Sequence, residues 1–223
     1  MNWQAFALTG RLATLTASIL TLVGVPVALW ITFSRRQWMF LVEAFVAMPL
    51  VLPPTVLGFY LLVAFGSNTA LGRWFERLTG GTLAFTFSGL VIASVLYSMP
   101  FAVQPMVAGF RSVDRKLMDA ARTLGAGRWK VYSQIVLPLA WPGLLTGVML
   151  SFAHTVGEFG VVLMVGGNIP GATRTLSIDI YDQVQALDYH SANQTALVLL
   201  LFSYTLLCAV YGLNRRTALL DSR

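Results

Sequence analysis

Few residues in this chain are placed to do chemistry. Glu43, His154 and Glu158 stand inside long apolar runs. A second set is spaced along a charged stretch: Asp119-Ala120-Ala121, Gly125, Ile135 and Leu137-Pro138. A bilayer-embedded enzyme would need convergent nucleophiles, acids or metal ligands. The three ionisable groups show no paired spacing of that kind, and the lone Cys208 leaves neither a disulfide within the chain nor a cysteine metal site. The spaced set instead builds a surface. Asp114 can cap a helix starting near Arg115, which places Leu117, Ala120, Ala121 and Leu124 on one face. Gly125 falls where helices commonly end with positive φ. After Gly127, residues Arg128 to Ile135 form a second short helix that runs into Pro138, and proline is tolerated in a first helical turn. Small alanines on the outer face admit a partner closely, and Arg115, Lys116, Arg122, Arg128 and Lys130 offer positive charge to an acidic rim or to lipid phosphates. An ordinary basic loop reaching for head groups would use the same charges.

The elements that position this surface are set by composition. With 57% hydrophobic and 11% charged residues and a mean hydropathy of +0.71, there is too little polar surface to cover a soluble globule. The expected fold is an all-α integral membrane protein, a single transmembrane domain over residues 1–223. Five apolar segments are long enough to cross, at 12–33, 39–65, 85–107, 138–165 and 195–213. The first has no basic region before it and no cleavage site after it, and is expected to stay in the mature chain.

Basic residues near span ends are retained on the cytoplasmic side. Of the 15 Lys and Arg residues, eleven lie in one set of alternating loops: Arg35, Arg36, Arg111, Arg115, Lys116, Arg122, Arg128, Lys130, Arg215, Arg216 and Arg223. The other set holds Arg11, Arg73, Arg77 and Arg174, offset by Glu76, Asp179, Asp182 and Asp188. The N-terminus is therefore expected outside, the C-terminus inside, and loop 111–137 in the cytoplasm. Topology accounts for the net charge of +6, so nucleic acid is not an expected partner. Leu71, Trp74, Phe75 and Leu78 form the stripe of a short outer interfacial helix. Leu176, Ile180, Val184 and Leu187 recur at helical spacing while Asp179, Asp182 and Asp188 point elsewhere, which suits an outer, re-entrant amphipathic helix. Asn193 is the expected cap of the last crossing.

His154 and Glu158 are four apart, hence on one face of a continuous helix. Glu158 lies about 30 Å along that helix from Pro138, at its outer end, where a structural or gate-holding role fits. Pro49, Pro53, Pro54, Pro100 and Pro105 are expected to kink or break their helices. Exposed amides there, with Thr55, Ser98 and Gln104 nearby, offer polar groups without fixed charge along a path.

The spacing of the island resembles the cytoplasmic loop of binding-protein-dependent ABC importer permeases: Glu-Ala-Ala, three residues, Gly, nine residues, Ile, one residue, Leu-Pro. Asp119 replaces the usual Glu, and every other fixed position matches. The segment from Pro49 to Gly58, Ala121 to Ala126, Gly157-Glu158-Phe159-Gly160 and Gly167 to Thr175 is similar to molybdate permeases, and the later two stretches also to sulfate permeases. The resemblance implies a tetrahedral oxyanion, molybdate first and tungstate or sulfate as alternatives. It implies a second copy of the chain, two copies of a separate ATPase and a periplasmic oxyanion-binding protein as partners, all at the bacterial inner membrane. It also implies docking of the ATPase on Asp119, Ala120, Ala121, Arg122, Leu124, Gly125, Ile135, Leu137 and Pro138. No G-x-x-x-x-G-K-[ST] loop is present, both lysines being followed by Leu or Val. ATP hydrolysis is expected in another chain, and no cofactor is expected in this one. A membrane anchor for a soluble complex would explain the island but not the proline-interrupted spans.

Overall fold

A computed structural model describes residues 2–221, with side chains described through residue 212. Every regular element among them is helical. Helix α1 (Trp3–Phe33) is started by Asn2, whose side chain accepts from the backbone of Gln4 and Ala5. Hydroxyls along its length would be costly in lipid. Thr9, Thr14, Ser18 and Thr21 satisfy theirs by donating to the carbonyl four residues back, at 2.7–2.8 Å.

The expected crossing over 39–65 is not one rod. Helix α2 (Met39–Ala47) passes through a 3₁₀ turn at Met48–Leu50 and stops, and α3 (Pro54–Phe65) leaves at 106°. Pro49, Pro53 and Pro54 lack donors, and Pro54 forces Pro53 into extended backbone (φ −55°, ψ 137°). Helix α4 (Ala70–Thr79) is capped by Thr69 and ended by Gly80 at φ +75°. It shows Leu71, Trp74 and Leu78 outward while Phe75 packs inward, which suits a helix lying on a membrane surface.

Helix α5 (Phe87–Arg111) runs without a break through Pro100 and Pro105, contrary to the expected interruption. Pro100, Ala102, Val103 and Met106 are all buried there, and packing keeps the helix a single element. The elbow follows as α6 (Arg115–Thr123), α7 (Arg128–Val131), a π turn at Tyr132–Val136 and α8 (Leu137–Leu139). The chain then bends by 66° into α9 (Trp141–Gly157). The expected crossing over 138–165 is also divided: α9 ends at Gly157, Glu158 is extended (φ −72°, ψ 136°), and α10 (Gly160–Gly166) follows.

The outer segment forms α11 (Leu176–Gln185), and α12 (Tyr189–Asp221) ends the described chain. The apolar stripe of α11 is graded, Leu176 buried, Ile180 half buried and Val184 and Leu187 exposed, and Asp179, expected to point elsewhere, is buried. That carboxylate is satisfied by Asn2 (3.0 Å) and Gln183 (2.9 Å), which makes its burial affordable. Asn193 does not cap α12. The helix starts four residues earlier, where Asp188 accepts from the Ser191 N–H at 3.1 Å, and the Ser191 hydroxyl and N–H hold the Asp188 carboxyl below its ordinary range. The side chains of Arg215, Arg216 and Arg223, assigned above to the inner side, lie outside the described residues.

Helices α1 and α5 and the Tyr189–Gly212 part of α12 are each long and apolar enough to cross a membrane, and the two bent pairs would make five. The centre of the bundle is α1, α5 and α9 packed on one another. Helices α5 and α9 meet backbone to backbone: a Cβ at Gly143 would lie 2.6 Å from Gly109 Cα and 2.7 Å from the Pro105 carbonyl, and one at Gly109 would lie 2.9 Å from Gly143 Cα. Small residues spaced for such an approach are the usual means of helix association where lipid offers no hydrophobic drive. Gly143→Val should force the helices apart at a cost of roughly 1–3 kcal/mol. Thermal unfolding of the detergent-solubilised chain checks this, with a midpoint lowered by roughly 3–10 °C and an unchanged midpoint as the contrary result.

Candidate functional site

Both ends of the elbow are fixed to the bundle. Val113, Met118, Val131 and Val136 are buried in the same apolar cluster as Phe110 and Ala140. Tyr132 stands edge-on to Phe33 at the end of α1 (5.5 Å, 74°), and Phe33 in turn meets Phe110 of α5 at 6.5 Å. An ion pair braces the same end, Arg111 Nη2 lying 3.0 Å from Glu43 Oε2, with both side chains about half exposed. At that exposure such a pair is worth only about 0–1 kcal/mol. Glu43 is thereby accounted for as a partner of Arg111 near the end of its helix.

The motif spacing has a local cause. Asp114 caps α6 by accepting from the Lys116 N–H at 2.9 Å. At the other end Gly125 (φ +84°) donates to the Arg122 carbonyl at 2.9 Å, and Ala126 donates to the Ala121 carbonyl at 3.0 Å. These two bonds form a Schellman motif, which needs a residue free to take positive φ and a small apolar contact between its flanks. Ala121 and Ala126 supply that contact against the core. The separation from the second alanine of the motif to its glycine is thus the length of one helix stop.

Helix α6 presents two faces. Arg115, Met118, Asp119 and Arg122 line a cleft toward Phe33 and Tyr132. Leu117 (50% exposed), Ala120 and Leu124 (88% exposed) face away from it. Ala121, expected on the outer face, is half buried. Asp119 pairs within its own helix to Arg122 at 3.1 Å, with 71% of its side chain exposed. Ile135 and Leu137 are half buried and Pro138 is exposed. Trp129, 83% exposed, was not singled out in the sequence, although a tryptophan between Arg128 and Lys130 is a signal that could have been read.

The candidate path residues do not converge. Ser98 and His154 are brought together: Ser98 Oγ lies 2.9 Å from His154 Nδ1 and 3.0 Å from Thr155 Oγ1, which donates to the Ser151 carbonyl at 2.9 Å. With one proton per hydroxyl the chain closes if Ser98 donates to Thr155 and His154 carries its proton on Nδ1. The imidazole is also stacked on Phe101 (3.8 Å, 21°). Such a ring is a satisfied pin between α5 and α9. Glu158 is not on its face, because the helix has ended one residue earlier. Glu158 is instead buried (5% exposed), with Oε1 accepting from Val161 N–H at 3.1 Å and its carbonyl accepting from the Ser177 hydroxyl. It ties the start of α10 to α11, and its Oε2 has no partner among the described residues. Gln104 is exposed on α5 beside Glu43 and Arg111, in a cavity of about 580 Å³. Thr55 is exposed in the first turn of α3.

A polytopic helical membrane subunit with a rigid two-helix elbow projecting from its bundle is the class these features define. The chain belongs to the family described as the binding-protein-dependent transport system inner membrane component, whose pattern matches residues 20–218. It is 49% identical to the molybdenum transport system permease protein ModB of Azotobacter vinelandii over 95% of this chain and 93% of that protein. Identity to ModB of Escherichia coli K12 is 38%, over 82% and 80%. The fold is that of a solved methionine ABC transporter, MetNI, in inward-facing form (TM-score 0.73, 18% identity, 95% and 94% covered). It is likewise that of a bacterial alginate ABC transporter in complex with a pentasaccharide-bound periplasmic protein (TM-score 0.75, 17% identity, 96% and 78% covered). The protein is a multi-pass permease of the bacterial inner membrane.

Holding Gly125 at positive φ costs a residue with a Cβ about 1–2 kcal/mol. Gly125→Ala should speed amide hydrogen exchange over residues 117–126 roughly tenfold with Gly125→Asn between it and wild type. Equal exchange in all three would show that the stop does not depend on this conformation.

Proposed function

We propose that this chain is the permease of an ATP-driven importer for a tetrahedral oxyanion, with molybdate as cargo. The 49% identity to a molybdenum permease over nearly the whole of both chains carries the cargo assignment. The elbow carries the mechanism. Counting each bent pair as one gives five crossings, and the excess of Lys and Arg in alternate loops supports an outer N-terminus and a cytoplasmic elbow. Two copies of the chain enclose the path, two copies of a separate ATPase grip the elbows, and a periplasmic binding protein delivers the anion. Docking centres on the outward face of α6, Leu117, Ala120 and Leu124, with Asp119, Ala121, Arg122 and Gly125 holding its shape and Ile135, Leu137 and Pro138 carrying the motion into α9. Selectivity resides mainly in the delivery protein, because of the path candidates only Thr55 and Gln104 are exposed, with dipoles and no fixed positive charge, while Ser98 is committed to His154 and Thr155. Sulfate and tungstate are the alternative cargoes, having the same charge and shape.

When the ATPase closes, the elbow is displaced and α5 and α9 must move with it, since its two ends are joined to them. Reconstitution with the cognate ATPase and binding protein should give ATP-dependent molybdate uptake that excess tungstate suppresses more than excess sulfate does. Gly125→Val should insert normally yet lose uptake and stimulated ATPase by at least tenfold. Uptake near the wild-type rate in that variant, or assembly without uptake in the wild type, would overturn the reading.

A further inference from the structure

Two cavities at the elbow end of α1 lie side by side and share part of their walls. One is the small cleft of about 160 Å³ beside α6, lined by Arg35, Arg115 and Arg122 with Asp119 as its only acid. The other is a trench of about 570 Å³ walled by Val25, Pro26, Leu29 and Trp30 of α1, with Leu137 opposite. Phe33, Ser34 and Tyr132 border both. The polarity of the pair is segregated: three guanidinium groups at one end and apolar side chains at the other.

Arg122 is paired with Asp119, but Arg35 and Arg115 take part in none of the ion pairs among the described residues. Two such groups in one cleft repel each other and suit an anion with several acceptor oxygens. From Val25 to Ser34 the trench follows nine steps of helix, about 13 Å, close to the ~15 Å hydrocarbon depth of one leaflet. Its mouth is flanked by Trp30 and Trp129, 47% and 83% exposed, and tryptophan prefers the level of the head groups. A soluble anion would account for the cleft but not for an apolar trench beside it.

We propose that the two adjacent cavities together hold one anionic phospholipid, its phosphodiester among Arg35, Arg115 and Arg122 and one acyl chain passing over the shared wall and along α1. The inference rests on the membrane placement of the chain and not on its cargo. A lipid seated there neutralises the face of α6 turned toward α1 and fastens the elbow to the membrane plane, leaving Leu117, Ala120 and Leu124 free. Native mass spectrometry of the solubilised full chain, offered equimolar phosphatidylglycerol and phosphatidylcholine of matched chains, tests this without reading transport. One phosphatidylglycerol per chain should be retained in preference. Arg35→Gln and Arg115→Gln should each reduce that preference about fivefold, whereas Lys130→Gln, with the same charge change and lining neither cavity, should not. Equal retention of the two lipids by the wild type, an equal loss in Lys130→Gln, or displacement of the lipid by inorganic phosphate would each overturn it.

Discussion

Everything at the working end of this protein depends on the place where α5 and α9 touch without side chains between them. Gly109 and Gly143 lie just inside the two points at which the elbow leaves and rejoins the bundle. The close approach therefore shuts the base of the excursion between α5 and α9 into a ring. A ring with a fixed base cannot hinge on its own, so a force on α6 is delivered to both helices at once. Gly147, further along α9 beneath Met106, continues the same contact, and the hydrogen bonds of Ser98 to His154 and Thr155 fasten the two helices about two turns deeper. The contact energy is dispersion over matched surfaces, individually small and lost steeply with separation.

Stiffness and compliance are distributed accordingly. The elbow is stiff: capped by Asp114, stopped by the hydrogen bonds at Gly125 and Ala126, and anchored by Met118, Val131 and the Phe33–Tyr132–Phe110 rings. The breaks lie elsewhere, at the prolines between α2 and α3, at the bend before Trp141 and at Glu158. Interrupted helices are tolerated at membrane depth where neighbouring protein satisfies the freed groups, and they are where movement is absorbed. At the end away from the elbow, α11 holds several elements together: Asp179 accepts from Asn2 at the head of α1, Leu176 N–H donates to Thr9, and Ser177 donates to the Glu158 carbonyl. The bundle has a rigid handle at one end and a hydrogen-bonded clasp at the other.

What the sequence made legible was local. Asp114 as a cap, Gly125 as a stop, the outward stripe of α4 and the break at Pro53-Pro54 all depend on neighbours within a few residues. Readings that needed a long-range partner went astray. His154 and Glu158 share a face only if the helix continues, and Ser177, nineteen residues on, helps hold Glu158 in an extended turn instead. Asp179 looked solvated because its partner Asn2 is at the other end of the chain. Ala121 looked exposed because nothing local reveals that Ala126 folds back beside it. Pro100 and Pro105 looked disruptive, yet packing on both sides keeps α5 whole. Gly143-x-x-x-Gly147 was readable as a close-packing face, but its partner Gly109 was not.

A chain in which Cys208, which is exposed, is replaced by serine and Ala120 by cysteine offers the most direct test of the handle. Intact cells and inverted membrane vesicles are treated with a membrane-impermeant maleimide, with and without the bound ATPase. Labelling is expected in inverted vesicles alone, and the ATPase should suppress it. Labelling from outside intact cells, or none from either side, would contradict a cytoplasmic elbow gripped by a separate motor.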